Sequence, residues 1–313
     1  MRISYFFILL TLCFIVIGCS NELQPFYSNN EPIIIEMSGE ELKILQLTDN
    51  HLTFGIDYND RQTFRAIEKL VLYDDWDLVV FTGDMVMSPL AIPLFKHLVN
   101  LMESLEVHWT FVLGNHDRDY HRVERLLSVI SDTEFLKFKV GPELEQGGVG
   151  NFKITFTQDN VPFYHLYFLD TKSTTDAPER LTDYDFLSPA QVDWFEQFVS
   201  QDTVDSLVFM HTPLLQFELV KNYVGTFGEP VHPQGVDTGF FDIAVNYGRT
   251  KGVFVGHDHE NDFAFELMGV TLAYGRYTGY NAYGSLELGG RVITIDKNQM
   301  MTTTILPLSE VKP

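Results

Sequence analysis

Five short polar clusters, each standing directly after an apolar run, constrain this chain more than any other feature of its sequence. Asp49-Asn50-His51 follows residues 42–48, Gly83-Asp84 follows residues 77–82, and Gly114-Asn115-His116-Asp117 follows residues 107–113. His211 follows residues 206–210, and Gly256-His257-Asp258-His259 follows residues 251–255. Short apolar runs bounded by polar residues read as buried strands. In open α/β sheets the loops beyond the strand ends converge on one crevice. Five clusters at five strand exits therefore point to a single place, and one domain must bring Asp49 close to His259. Each cluster alone is ordinary, since Asp-x-His is common and Gly-Asp usually marks a turn. The ordered set is what discriminates.

The stretches between these runs supply the remaining layers. Residues 61–73 place Phe64, Ile67, Leu70 and Val71 on one helical face. Residues 90–105 and 120–130 also read as helices. Ser188-Pro189-Ala190-Gln191 is a helix start: Ser caps, Pro occupies the first turn, and Gln can return a bond to the cap. That helix runs through Val199 and buries Val192, Phe195 and Val199. Residues 151–157 and 163–169 read as paired strands about an Asp159-Asn160 turn. After Asp262 the pattern is strand and turn, ending in residues 291–295 and 301–306. Helix and strand alternate early, with extra strand pairs in the middle and at the end, so a mixed α/β domain is expected, two sheets face to face with helices outside. Apolar residues make up 45% of the 313, with 26 Phe, enough to fill such layers.

The donor types in the clusters suit Zn, Fe or Mn, and no cysteine follows Cys19 to make a thiolate site. Asp49 and His51, two apart, can reach one ion from a loop, as can His257 and His259. The Asp84 carboxylate is the natural bridge between two cations. Gly83, Gly114 and Gly256 permit close backbone approach beside the ligands. A formal charge of −22 repels polyphosphate backbones and speaks against a nucleic-acid-binding surface.

Taken in order, Asp49-x-His51, Gly83-Asp84, Gly114-Asn115-His116-Asp117, His211 and Gly256-His257-x-His259 resemble the signature of the calcineurin-like metallophosphoesterases. The resemblance covers roughly residues 42–295. The segments 165–170, 236–241 and 256–263 are most similar to the purple-acid-phosphatase-like branch. It implies a four-layer α/β/β/α sandwich, with one divalent metal on Asp49, His51, Asp84 and His259 and a second on Asp84, Asn115, His211 and His257. It also implies a hydroxide between the ions as nucleophile and His116 beside the leaving group. One departure is informative: where purple phosphatases carry a ligand tyrosine and phosphoprotein phosphatases an aspartate that pairs with the catalytic histidine, this chain has Met87. Asp117 is then the candidate for orienting His116. Arg118 and His121 are candidate substrate contacts. The run from Tyr274 to Tyr283 either lines the mouth or forms a twisted strand and hairpin. His97, His108, His165 and His232 fit no motif and read as structural.

The implied activity is hydrolysis of phosphate esters, small or surface-bound, with monoesters favoured. A phosphodiesterase acting on nucleotides or phospholipid headgroups and a non-catalytic surface binding protein are the alternatives. Residues 1–18 read as a signal peptide, with a short charged start and an apolar run too short to span a bilayer. They end at Val16-Ile17-Gly18-Cys19, which resembles a bacterial lipobox with Cys19 as the lipidated residue. Residues 19–38 read as a tether and 39–313 as the enzyme domain, held outside the cytoplasm at the membrane by the lipid.

Overall fold

The computed structural model describes residues 27–312, apart from Ile56 and Asp132. The signal peptide and Cys19 lie outside the described residues. The chain runs β1 (Ile33–Glu36), β2 (Leu42–Leu47), α1 (Tyr58–Val71), β3 (Leu78–Thr82), α2 (Ala91–Ser104), β4 (Trp109–Val112) and α3 (Val123–Leu127). It continues through β5 (Phe152–Gln158), β6 (Val161–Phe168), α4 (Pro189–Val199), β7 (Ser206–Phe209), α5 (Phe240–Tyr247) and β8 (Thr250–Val255). It ends with β9 (Ala264–Leu267), β10 (Val270–Tyr274), β11 (Gly289–Ile295) and β12 (Met301–Pro307). Seven strands form one mixed sheet in the order β1-β5-β6-β7-β8-β10-β9, and five form the other in the order β12-β11-β2-β3-β4.

The side chains on each strand show why the layers stack. Along β2 and β3, Leu45, Leu47, Val79 and Phe81 join the core under α1 and α2, while Leu42, Ile44, Leu78 and Val80 enter the core between the sheets. Along β7 and β8, Val208, Val253 and Val255 pack under α4 and α5, while Leu207, Phe209 and Phe254 face the other sheet. Strands buried on both faces must be apolar throughout, and that is why the runs lacked polar alternation. The result is the four-layer α/β/β/α sandwich.

Phenylalanine does much of the filling between the sheets. Phe152, Phe168, Phe209 and Phe254 are cross-strand partners in turn and stack at centroid distances of 4.7, 5.4 and 5.4 Å. Each such pair contributes about 0.5–1.5 kcal/mol beyond its burial. Buried Gln46 is a polar tie across the same layer: its Nε2 donates to Thr82 Oγ1 and to the Val255 carbonyl of the opposite sheet, both at 2.9 Å.

The capping box at Ser188 is present as read. Its hydroxyl accepts from the Gln191 N–H, and the Gln191 carboxamide accepts from the Ser188 N–H. Three expectations need correction. Residues 33–36, placed in the tether, form β1 parallel to β5 and send Ile35 into the inter-sheet core, so the folded unit begins before Gly39. The helix expected over 120–130 is only Val123–Leu127, because the preceding turn is fixed to the site and Arg122 is extended. Helix α5 was missed: it lies between two glycines in left-handed conformation, Gly239 and Gly248, in a stretch with no strong polar pattern.

Candidate metal centre

The strands β2, β3 and β4 run parallel in one sheet, and β7 and β8 run parallel in the other. Their polar exits meet. Asp49, His51 and His259 form one group, and Asp84, His211 and His257 a second; within each, the donor atoms lie within 4.8 Å of one another. Each group thus draws residues from both sheets. Asn115 joins the second, its Oδ1 lying 3.1 Å from His211 Nε2. All seven residues are buried.

Asp84 lies between the groups. Its Oδ2 is 3.3 Å from His211 Nε2 and 3.6 Å from His51 Nε2, while Oδ1 accepts the His116 N–H at 2.8 Å. Asp49 divides its oxygens the same way. Oδ2 accepts from Thr48 Oγ1 at 2.8 Å and from the His257 N–H at 3.1 Å. Among the described residues, Asp49 Oδ1 and His51 Nε2 are buried and have no hydrogen-bond partner. Two unpartnered electron-pair donors facing each other in a buried site are what a cation would satisfy, so the residues present fit metal ions. The imidazoles are aimed by their other nitrogens: His211 Nδ1 meets the Thr82 carbonyl at 2.8 Å, and His259 Nδ1 the Tyr283 carbonyl at 2.9 Å.

The backbone at this site is strained. Asp49, His51, Asp84 and His257 all have positive φ, between 45° and 82°, a region non-glycine residues seldom enter. Such conformations cost of order 1–3 kcal/mol each and persist where the surroundings over-determine them. Here backbone bonds hold them: the Asp49 N–H donates to the Gly83 carbonyl and the His51 N–H to the Asp84 carbonyl. Burial alone would push the Asp84 carboxyl up, but the facing His211 and His51 imidazoles hold it well below the usual carboxylate range. Burial, with His211 nearby, depresses His257 to about 3, which keeps it in the neutral form that ligates metals.

His116 lies beside the first group, its ring edge-on to His51 at 5.3 Å between centroids. Its Nδ1 is 2.7 Å from Asp119 Oδ2. Asp117 does not orient it: that carboxylate is buried and accepts the Val86 and Gly114 N–H groups at 2.9 and 2.8 Å, tying the exits of β3 and β4 together. Arg118 is committed to Asp170 through Nη2, and His121 Nε2 to the Pro89 carbonyl at 2.8 Å. Both line a groove of about 820 Å³ that also takes in Asp119, Tyr120 and Lys172.

The aromatic run divides between its two readings. Tyr274 ends β10, buried, with its hydroxyl on Asp258, whereas Tyr283 stacks on His259 at 4.0 Å. His232, read as structural, holds Asp258 through Nδ1 at 2.7 Å. Tyr184, edge-on to His257 at 4.3 Å, escaped the sequence reading because nothing in its loop marks it. Asp119 escaped it as well, although a carboxylate three residues after a turn histidine is a readable spacing.

The calcineurin-like phosphoesterase family profile matches residues 42–261. A probable inactive purple acid phosphatase 14 of Arabidopsis thaliana is 28% identical over 302 residues, spanning 81% of this chain and 74% of that protein. The phosphatase DCR2 of Saccharomyces cerevisiae is 26% identical, over 71% of this chain and 45% of its own. Among solved structures, a dimetal phosphatase from Danio rerio superposes with a TM-score of 0.57 at 12% identity, over 84% of this chain and 98% of that one. The purple acid phosphatase PPD1 from yellow lupin (Lupinus luteus) seeds gives 0.51 at 13% identity, over 87% and 52%. At these identities the structural likeness concerns the fold.

Proposed function

Because the chain belongs to the calcineurin-like phosphoesterase family, we propose that it hydrolyses phosphate esters, monoesters by preference, at a centre for two divalent metal ions. The observation that carries this reading is the position of Asp84, whose one free oxygen faces both donor groups while the other is held by the His116 N–H. Asp49, His51, Asp84 and His259 would hold one ion, and Asp84, Asn115, His211 and His257 the other, with Mn, Fe or Zn matching the donors. When bound, such a pair lowers the pKa of water towards 7 and neutralises charge on the phosphoryl oxygens.

The chain's own residues do the rest. Strained, doubly bonded loops keep the carboxylates from swinging, so the donor positions are set before substrate arrives. His116 stands at the edge of the first group, about one-third exposed, with Nδ1 turned to Asp119, so Nε2 is the nitrogen that would give a proton to the leaving oxygen. Such a placed acid is worth roughly 10²–10⁴ in rate. A groove lined by Arg118, Asp119 and Lys172 adjoins the turn that carries His116.

The Arabidopsis relatives carry the word inactive in their names, which favours a second reading, a binding protein on the same scaffold. Against it stands the complete donor set with His116. The test is turnover of p-nitrophenyl phosphate and bis-p-nitrophenyl phosphate by the purified full chain, stripped by chelator and refilled with Mn, Fe or Zn. Metal-dependent turnover of the first supports the proposal; preference for the second shifts it to a diesterase. Two bound metals without turnover of either leave the binding reading. We further propose that Cys19 carries a lipid and holds the enzyme outside the cytoplasm at the membrane, a reading supported by residues 1–19 alone. Loss of labelled fatty-acid incorporation in Cys19→Ser tests it.

A further inference from the structure

We propose that Asp119 is the positioning carboxylate of His116, fixing which ring nitrogen meets the substrate; this rests on the phosphate-ester reading. Three positions bear on the role, and only two of them hold a carboxylate. Position 87, where a partner carboxylate stands in the phosphoprotein phosphatases, is Met87. Asp117, next in sequence to His116, is buried with its oxygens on the Val86 and Gly114 N–H groups. Asp119 remains, with Oδ2 at 2.7 Å from His116 Nδ1.

The pairing belongs to a held turn and does not arise from two mobile surface chains. His116–Arg118 is a single 3-10 turn, and the Asp119 N–H donates back to the His116 carbonyl at 3.2 Å. Each residue before Asp119 is pinned to something different: the His116 N–H to Asp84 Oδ1, the Asp117 carboxylate to two loops, and Arg118 to buried Asp170. Asp170 is itself held by the Val149 and Lys172 N–H groups at 2.8 and 2.9 Å. The backbone therefore places Asp119 over Nδ1 without relying on the ion pair's own strength, which at 36% and 35% exposure would be small.

The chemical consequence concerns the tautomer. With Asp119 accepting from Nδ1–H, Nε2 is the nitrogen left for the reacting atoms. As the phosphorus–oxygen bond to the leaving group breaks, its electron pair goes to that oxygen, which takes the Nε2 proton of the doubly protonated ring; the ring is left as the Nδ1–H tautomer facing Asp119 and regains its Nε2 proton from solvent. The oxygen of the incoming water stays on phosphorus, and its proton passes to solvent. Asp119 also lines the groove shared by Arg118, His121 and Lys172.

The test compares Asp119→Asn, Asp119→Ala and Asp119→Glu in the metal-refilled full chain, on p-nitrophenyl phosphate and on glycerol 2-phosphate. The first leaving group departs without a proton and the second needs one. The expected result is a roughly 10- to 100-fold fall in kcat on glycerol 2-phosphate for Asn and Ala, within the ceiling set by a placed acid. Metal content and KM stay at parent values, kcat on p-nitrophenyl phosphate stays within about threefold, and Glu restores part of the loss. Equal losses on both esters would show a merely structural role and overturn the proposal, as would parent kcat on glycerol 2-phosphate. The ¹⁵N spectrum of the zinc-loaded chain adds a readout free of turnover: His116 should be protonated at Nδ1 in the parent and lose that preference in Ala. If the parent binds two cations and turns over neither ester, the monoester reading falls, and the spectrum still decides whether Asp119 holds the Nδ1 proton.

Discussion

Replacing Gly114 by alanine should disable the centre while leaving the fold intact. The glycine is not in a left-handed conformation, so a methyl group adds no torsional strain there. Its cost is steric: the new Cβ would stand 2.1 Å from Asp84 Oδ1, 2.4 Å from Asp84 N and 2.8 Å from Asp84 Cγ. Non-bonded contacts to carbon relax only near about 3.5 Å, so roughly 1 Å of displacement must be found. Rotating the carboxylate cannot supply it, because one of the clashing atoms is backbone. The exits of β3 and β4 have to part, and the His116 N–H loses its place on Asp84 Oδ1. Overpacking of this kind costs about 1–3 kcal/mol in stability. A 1 Å misplacement at a reacting centre costs on the order of 10² in rate. The assay is metal content after gel filtration, turnover and thermal melting, with Gly248→Ala as control. Gly248 has φ +66° and nothing within 4 Å of an added Cβ, so alanine should cost about 1 kcal/mol and leave metal and turnover alone. A Gly114→Ala chain with parent metal content and turnover within about threefold would refute the claim that the Asp84 position sets the site.

Asp117→Ala should lower stability by about 2–4 kcal/mol by denuding two buried N–H groups, and denaturant unfolding that shows less than about 1 kcal/mol would contradict the loop-tying role. His165 gives a pH signature away from the metals. Burial, with Lys153 nearby, depresses it from 6.5 to about 4, so between those values the unfolded chain binds the proton first. Its contribution is complete above pH 6.5 and falls by about 3 kcal/mol as pH drops to 4. The stability difference between parent and His165→Gln should therefore move with pH across that window, and a pH-independent difference would discount the shift. Stripping metals should lower Tm, because each donor group joins both sheets; at a thousandfold excess over Kd, refilling restores about 4 kcal/mol per site. Identical melting curves with and without chelator would count against cross-sheet ligation.

Where the sequence was legible, the reason is burial. Strands covered on both faces had to be apolar, and their ends had to turn polar to reach the crevice, so β2, β3, β4, β7 and β8 and their exits could be read together. The α4 start was legible because its cap is local chemistry, Ser188 and Gln191 bonding each other. Asp117 was the sequence candidate and Asp119 was not, although both sit within one turn of His116. What separates them is the Val86 N–H, more than thirty residues away in sequence, which claims Asp117. β1 was lost for a related reason: a four-residue strand after a polar, proline-bearing stretch gives no periodicity, and the strand it pairs with, β5, is far along the chain.

The placement of the donors also explains why the strained residues sit where they do. A strand exit that continued in extended conformation would carry its polar group past the crevice. A positive φ at Asp49, His51, Asp84 and His257 turns the chain sharply just past the strand and brings each donor back over the sheet edge. Glycine would adopt that backbone without cost. It has no donor, so ligand chemistry and easy backbone conformation cannot both be met at one position. The chain separates them: the donors take the strained conformation, and Gly83, Gly114 and Gly256 supply the clearance beside them, since an added Cβ at each would fall within 2.4 Å of an atom of His211, Asp84 or Thr48. The Gly-Asp and Gly-His-x-His clusters are thus the sequence trace of a steric requirement at the ends of β3 and β8, where Asp84 and His257 double back, and Gly114 at the end of β4 leaves room for the Asp84 carboxylate.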